Sequence, residues 1–542
     1  MSESSTVRFA RPITAAAGVY APGHIGELTQ YLPFELVDDV LSETKTVQRR
    51  LRDLPSRVGV YFVLALMLFP RLGYPRVWQK LTAGLRGLEL PSPSEKALRD
   101  LRRRLGPAPF KALFEIIAGP LGQPHTPGVS YRGLRTVAFD GCNSLRVPDT
   151  ERNRSWLGRI RYRMGFAGYP TLRMMTLVET GTRSMLGAVL GSAADRDEAT
   201  LARRLLPLLH PGVVVLLDRA FDAAAFLIEL DQSGARFLVR SKSTRRPPVL
   251  TQLPDGSFLS DLGGLPVRII DADLTVTGAD GSRVRDRYRL ITTLLDHDHH
   301  PAAELVRLYH ERWEIEIAYL ALRHTILDGQ VLRSQDRPGL EQEVWALLIV
   351  YQLLRMAMVT AVESRPDTNP DRASFTTALQ AARDQLIAAD GILPADQPDL
   401  LGVIGRAVLA TLLPPRRARW STRRLKNATA RYLNRDDRRP HLPTMIASIQ
   451  VILHTPSVDT TWRPRLRKPR NANAAPTRRE IITTLMQDDP GRPWRGRELA
   501  DKLAINARNM LTQLAEWTRL GFLTRTDAGT YKLPTRRDTA SP

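Results

Sequence analysis

Four side chains on one predicted helix have the types and the spacing for phosphate chemistry. From Pro301, which suits a first helical turn, to Arg323, the run through Tyr309-His-Glu-Arg-Trp-Glu-Ile-Glu316 contains no helix breaker. At about 100° per residue, Tyr309, Arg312, Glu316 and Arg323 fall within an arc of roughly 60°. That face presents a phenol, a carboxylate and two guanidiniums, while Glu311 and Glu314 point elsewhere. A carboxylate so flanked can hold a metal ion while the guanidiniums grip phosphate. Taken alone, the same stripe also describes a solvated face laced with i,i+4 ion pairs.

Two upstream aspartates weigh toward chemistry. Arg135-Thr-Val-Ala-Phe-Asp140 and Val213-Val-Val-Leu-Leu-Asp218 are short apolar runs, each predicted to be a strand that stops at its carboxylate. Strand ends are where α/β sheets build sites, and if these two strands are neighbours their carboxylates converge. Two bare negative charges about 4 Å apart repel by roughly 4 kcal/mol at an effective dielectric near 20. Either their pKa values rise or a cation neutralises them. An all-oxygen set of Asp140, Asp218 and Glu316 selects Mg²⁺, or Mn²⁺, over zinc. Two such ions would serve in-line phosphoryl transfer without a covalent enzyme intermediate.

The elements that must carry these residues follow from composition and pattern. The chain has 542 residues, enough for several domains, and a net charge of +22, which points to a polyanion such as nucleic acid. Cys142 is the sole cysteine, so internal disulfides and thiolate metal cages are excluded. Residues 1–22 are predicted to be a flexible lead without a signal-peptide pattern. Gly59 to Pro70 is too short to span a bilayer, and Val344 to Val362 is interrupted by Gln352 and Arg355, so both are expected as buried helices. A soluble cytoplasmic protein with no membrane partner is the expectation.

Helical patterning over 23–120 predicts a small N-terminal helical domain, on which Arg99, Arg102, Arg103 and Arg104 form either a DNA-facing stripe or an ordinary wet face. After a Pro/Gly-rich linker, strands alternate with helices from 134 to 440, the mark of an α/β sheet. Within it, 241–296 is predicted to be a β-rich insertion, with turns at Asp255-Gly and Asp280-Gly. Residues 441–475 are predicted to be a basic linker. Together with the run Arg416 to Arg439 they suit phosphate tracking, where Trp420, Tyr432 and Trp462 either stack on bases or anchor the loop. Three helices and a hairpin over 476–535 describe a winged helix-turn-helix, whose third helix opens with Arg508 and Asn509 as candidate base readers. Asp296-His-Asp-His-His300 precedes Pro301 and is expected to be a solvated loop, and Cys142 a packed small residue.

The motifs Asp140-Gly-Cys-Asn, Val147-Pro-Asp-Thr-Glu-Arg-Asn153, Leu217-Asp-Arg-Ala-Phe221 and Tyr309-x2-Arg312-x3-Glu316-x6-Arg323 together resemble those of IS4-family (DDE-type) transposases. Gly23 to about Leu85 also resembles that family's helical N-terminal domain, and the resemblance extends over roughly 20–440. Arg323 stands where lysine is usual, so a fork replaces a point charge. The resemblance implies an RNase H-like core with a β insertion, and Asp140, Asp218 and Glu316 as ligands of divalent metal. It implies Tyr309, Arg312 and Arg323 on transposon-end phosphates, with Arg219 of the second aspartate motif a further DNA contact. The implied reaction is cleavage at terminal inverted repeats, then attack of the freed 3′-hydroxyl on target DNA by a homodimer in the bacterial nucleoid. Whether a DNA hairpin intermediate forms stays open. Two other readings use the same residues: a DNA-binding regulator, or inactive domesticated transposase, acting through its winged helix, and a nuclease that cuts without joining.

Overall fold

The computed structural model describes residues 23–389, 401–414, 419–420, 444–458 and 478–533, apart from short breaks within the first and last of these ranges. The chain forms two compact units, Met1–Trp462 and Arg463–Pro542.

The large unit is built on a 12-stranded mixed sheet. Its centre is β1 (Leu134–Arg146), β2 (Thr171–Glu179), β3 (Met185–Gly191), β4 (Val213–Leu217) and β5 (Arg236–Arg240). Their spatial order is β3-β2-β1-β4-β5, with β1/β2 and β2/β3 antiparallel and β1/β4 and β4/β5 parallel. This is the mixed sheet of an RNase H-like core. Every residue of β4 is buried, which is why it reads as an unbroken apolar run and not as an alternation. Along β1 the side chains alternate between two cores: Ala138 and Cys142 join one, Val137 and Phe139 the other.

The predicted insertion extends this same sheet. β6 (Pro266–Gly278) pairs antiparallel with β7 (Arg283–Thr292), and β7 pairs with β5 from Leu290↔Arg240 to Thr292↔Leu238. The predicted basic linker over 441–475 is corrected in part: Thr444–Leu453 is a strand, β8, paired with β6 from Ala272↔Leu453 onward. The alternation Met445-Ile-Ala-Ser-Ile-Gln-Val-Ile-Leu453 places it there, although basic stretches flank it.

One face of the sheet is covered by helices. Ser56–Leu68 (α1) is apolar all round, so it must be buried on every side, and it packs against the 27-residue helix Arg337–Glu363 (α2). Asp336 caps α2 by accepting from Gly339 N at 2.9 Å. α2 is long and apolar enough to cross a membrane, but 89% of its most apolar window is buried inside the protein. The N-terminal helices share one hydrophobic core with α2 and the sheet, so the predicted 23–120 region does not form a core of its own. Arg102 is part of the reason. It is buried, bonded to Glu343 at 3.1 Å and to Gln342 at 2.9 Å, and so is unavailable to DNA, whereas Arg99 and Arg103 pair with Glu95 and Asp100 on the surface.

In the small unit, helices Arg478–Gln487 and Gly496–Lys502 pack on a three-stranded antiparallel sheet of Trp494–Arg495, Thr530–Lys532 and Thr524–Asp527. Met510 and Leu514, from the predicted third helix, lie in its core. Arg508 and Asn509 lie outside the described residues, as do Tyr432, Trp462 and most of the basic run 416–439.

Candidate active site

β1 and β4 run parallel and in register up to Ala138↔Leu216. Asp140 and Asp218 each lie two residues beyond that pair, at the same level on adjacent chains. With strands about 4.8 Å apart and a side-chain period of two, both carboxylates face one side of one point. β4 stops there, as the sequence predicts, but β1 does not: it continues past Asp140 to Arg146, held by β2. The site therefore sits where a partner strand ends beside one that goes on. Asp218 caps the next turn, accepting from Ala220 N at 2.7 Å through Oδ1. Asp140 Oδ1 accepts from Gly141 N at 2.9 Å.

The third carboxylate arrives on a rod that is not one uniform helix. Ala302–Tyr309 is α-helical (α3 in the site), His310–Trp313 is a 3-10 turn, Glu314–Leu320 (α4) is α-helical again, and Ala321–Ile326 is a π turn. The tight turn and the wide turn shift the helical phase, so a constant 100° spacing does not hold across the rod. Glu316 keeps its place beside the aspartates. Arg312 is buried, with Nη2 3.6 Å from Glu316 Oε1 and its guanidinium over the Tyr309 ring at 6.0 Å.

Burial pushes the Asp140 pKa up to about 7; the field of Arg312 pulls it down, and those of Asp218 and Glu316 push it up. The three predicted carboxylates thus meet around one guanidinium. Arg312 is buried in the field of that acidic cluster. Tyr309 is likewise 4% exposed, packed edge-on to Tyr288 at 5.6 Å, with its pKa pushed up to about 12 by burial. Arg219, exposed in the turn after Asp218, and half-buried Arg323 remain at the site's margins. Arg323 donates from Nη1 to Ser144 Oγ at 2.7 Å.

Tyr319 is the residue that sequence reasoning misses. Fully enclosed, it donates from its hydroxyl to the Asp140 carbonyl at 2.5 Å, and that hydroxyl lies 2.7 Å from Thr176 Oγ1. Asp140 and Thr176 are cross-strand partners, so one phenol bolts the rod to two strands at the level of the site. In sequence it is one more apolar-face aromatic, with nothing to mark it. Tyr319→Phe is expected to cost about 1–2 kcal/mol in urea unfolding, by leaving the buried Asp140 carbonyl without its donor and the Thr176 hydroxyl without its acceptor. It should slow single-turnover DNA cleavage about 10-fold, because Asp140 loses its brace.

Asn153 is buried and donates to the carbonyls of Pro148 at 3.0 Å and Ser334 at 3.2 Å. Asp296, His297 and Asp298 come close together in the loop before Pro301, where Asp296 Oδ1 accepts from the backbone of Asp298 and His299 at 3.0 Å each. Cys142 is buried, as expected of a packed small residue.

The donor set tests well for a hard divalent cation. Three carboxylates converge, and Asp140 ionises near neutrality only against its desolvation, a cost that a bound cation offsets.

An RNase H-like sheet with three carboxylates brought together beside it fits the core of a DDE transposase. Residues 22–115 match the model for the insertion element 4 transposase N-terminal region, and residues 134–353 the model for the transposase DDE domain. Transposase InsG for insertion sequence element IS4, from Escherichia coli (strain K12), is 26% identical over 418 residues, covering 75% of this chain and 92% of that protein. Putative transposase InsZ from the same organism is 26% identical over 206 residues, covering 38% of this chain and 67% of that protein. A cryo-EM structure of the piggyBac transposase synaptic complex with hairpin DNA matches at a TM-score of 0.36 and 10% identity, covering 72% of this chain and 84% of that one. The chain belongs to the IS4 family of DDE transposases. DDE domains use divalent metal ions.

Proposed function

We propose that this transposase cuts DNA at the terminal inverted repeats of an insertion element and joins the freed 3′-hydroxyls to target DNA. In the first step a water oxygen attacks the scissile phosphorus and the O3′–P bond breaks, leaving a 3′-hydroxyl. In the second, that 3′-oxygen attacks a target phosphorus and displaces the target's own 3′-oxygen, so the number of phosphodiester bonds is conserved. The observation that carries this reading is the convergence of Asp140, Asp218 and Glu316 at the end of the parallel β1/β4 register.

Asp140, Asp218 and Glu316 would hold Mg²⁺, or Mn²⁺, as two ions. When bound, the ions polarise the phosphoryl oxygens and lower the pKa of the attacking hydroxyl. The buried Arg312 guanidinium lies in the field of the three carboxylates and offsets their mutual repulsion. Arg219 and Arg323 flank the site where strand phosphates would lie. A winged helix in the C-terminal unit, with Arg508 and Asn509 at its reading end, would recognise the repeats, and two copies would act together in the nucleoid.

The test is purified protein incubated with Mg²⁺ and DNA bearing the element's inverted repeats and a target plasmid. The expected products are nicks at the repeat ends followed by strand-transfer joints. Cutting without joints would make it a nuclease; repeat binding without cutting would make it a regulator.

A further inference from the structure

Against Ile317, Ala321 and Thr325 of the rod that carries Glu316 lies a cavity of about 220 Å³. Arg355 of α2 lines it. This residue is 2% exposed, and its guanidinium lies over the rings of Tyr351 at 5.2 Å and Phe375 at 4.8 Å. Its Nε donates to Tyr351 Oη at 3.0 Å; among the described residues no acceptor is bonded to its two terminal nitrogens, and the residue lines the cavity. A buried guanidinium with unspent donors is costly unless an acceptor arrives.

A second feature points the same way. The 14-residue helix Phe375–Ala388 (α5 of the large unit's site) begins at this cavity. Ser374 caps it by accepting from Thr377 N at 3.2 Å, so the N–H groups of Phe375 and Thr376 have no intrahelical acceptor. The positive end of the helix dipole faces the same space. Arg183, on the opposite wall, is already committed: it donates to Glu314 Oε2 at 2.6 Å and to Asp371 Oδ1. The formal charges of Arg183, Arg355, Glu314 and Asp371 cancel. Asp371 also lines the cavity and is held by Arg183 through Oδ1, so selection rests on the donors of Arg355 and of the helix start outweighing that one carboxylate at the anion's position.

We propose that this cavity binds a small oxyanion, a free phosphate or phosphate monoester, held by Arg355 and the N-terminus of the Phe375–Ala388 helix. Ala321 and Thr325 belong to the π turn that bears Arg323, so occupancy braces that turn from behind. The site is separate from the carboxylate cluster and needs neither metal nor DNA.

The experiment is thermal unfolding of the full chain, free of metal and DNA, in sodium phosphate, in AMP, and in sodium chloride of equal ionic strength. The expected result is a saturable rise of roughly 2 °C with phosphate or AMP and none with chloride. A shift with phosphate assigns the free ion, and one with AMP alone assigns the monoester. Arg355→Met should abolish the shift. Thr376→Asp should abolish it too while keeping the fold, because an acid in a first helical turn is favoured by the dipole but repels the ligand. If Arg355→Met does not fold, Thr376→Asp decides. No shift in wild type overturns the proposal. So does an equal shift in wild type and Thr376→Asp, which would be the general stabilising effect of phosphate. A shift with a short oligonucleotide and with neither small anion would also overturn it.

Discussion

Glu316→Gln is expected to reduce Mg²⁺-dependent cleavage of element ends by on the order of 10³-fold while leaving folding and repeat binding intact. The substitution keeps the length and shape of the side chain, removes its charge and turns one acceptor oxygen into a donor NH2. Glu316 is the carboxylate of the three that comes from the rod, and its side chain is 34% exposed, so its replacement opens no cavity in a core. Arg312 still has Asp140 and Asp218 within its field, so the rod stays docked. What is lost is one of three charges that hold a divalent cation beside the scissile phosphate, and hard cations depend on ligand charge. Single-turnover cleavage, a gel shift on the inverted repeats and a melting curve separate the three outcomes. Cleavage at the wild-type rate with Gln at 316 would mean that the cluster is not where the chemistry happens.

Much of this site was legible in the residues, and the parts that were not have physical reasons. Two apolar runs closed by Asp140 and Asp218 mark the level of the site, although only β4 ends there and β1 runs on to Arg146 against β2. Glu316 and Arg312 were legible from helical spacing over a single turn. Spacing fails further along, because the 3-10 and π turns arise where the rod must dock its tyrosine and arginine, a matter of packing and not of propensity. Buried arginines misled in the same way. A net charge of +22 suggests that arginines face DNA, yet Arg102, Arg183, Arg312 and Arg355 are all inside the fold, and no local pattern separates them from surface ones. The N-terminal helices look like a domain because they are contiguous in sequence; Ser56–Leu68 joins the large unit because its all-apolar surface needs α2 beside it. β8 was hidden by the charge on either side of it.

Arg312→Met should produce the largest change in stability, and one that depends on pH. At pH 8 the expected loss is about 3–5 kcal/mol, the usual cost of stripping a buried charge cluster of its partner. The sign of the pH effect follows from Asp140, whose pKa in the folded protein, about 7, lies above its ordinary 3.8. Between those values the folded state holds a proton that the unfolded state has lost, so this group's contribution weakens folding as pH rises through about 4 to 7 and is constant above. Arg312 is the one influence of a neighbouring charge that lowers that pKa, opposing Asp218 and Glu316. Removing it drives the folded pKa higher and extends the window of falling stability above 7. The gap between variant and wild type should therefore narrow toward pH 5 and widen toward pH 8. Mg²⁺ supplies the missing positive charge, so it should raise the melting temperature of Arg312→Met more than that of wild type. Urea titrations at pH 5, 6.5 and 8, with and without Mg²⁺, measure all of this. A gap independent of pH would show that Arg312 stabilises by packing on Tyr309 alone, and that three carboxylates do not share its charge.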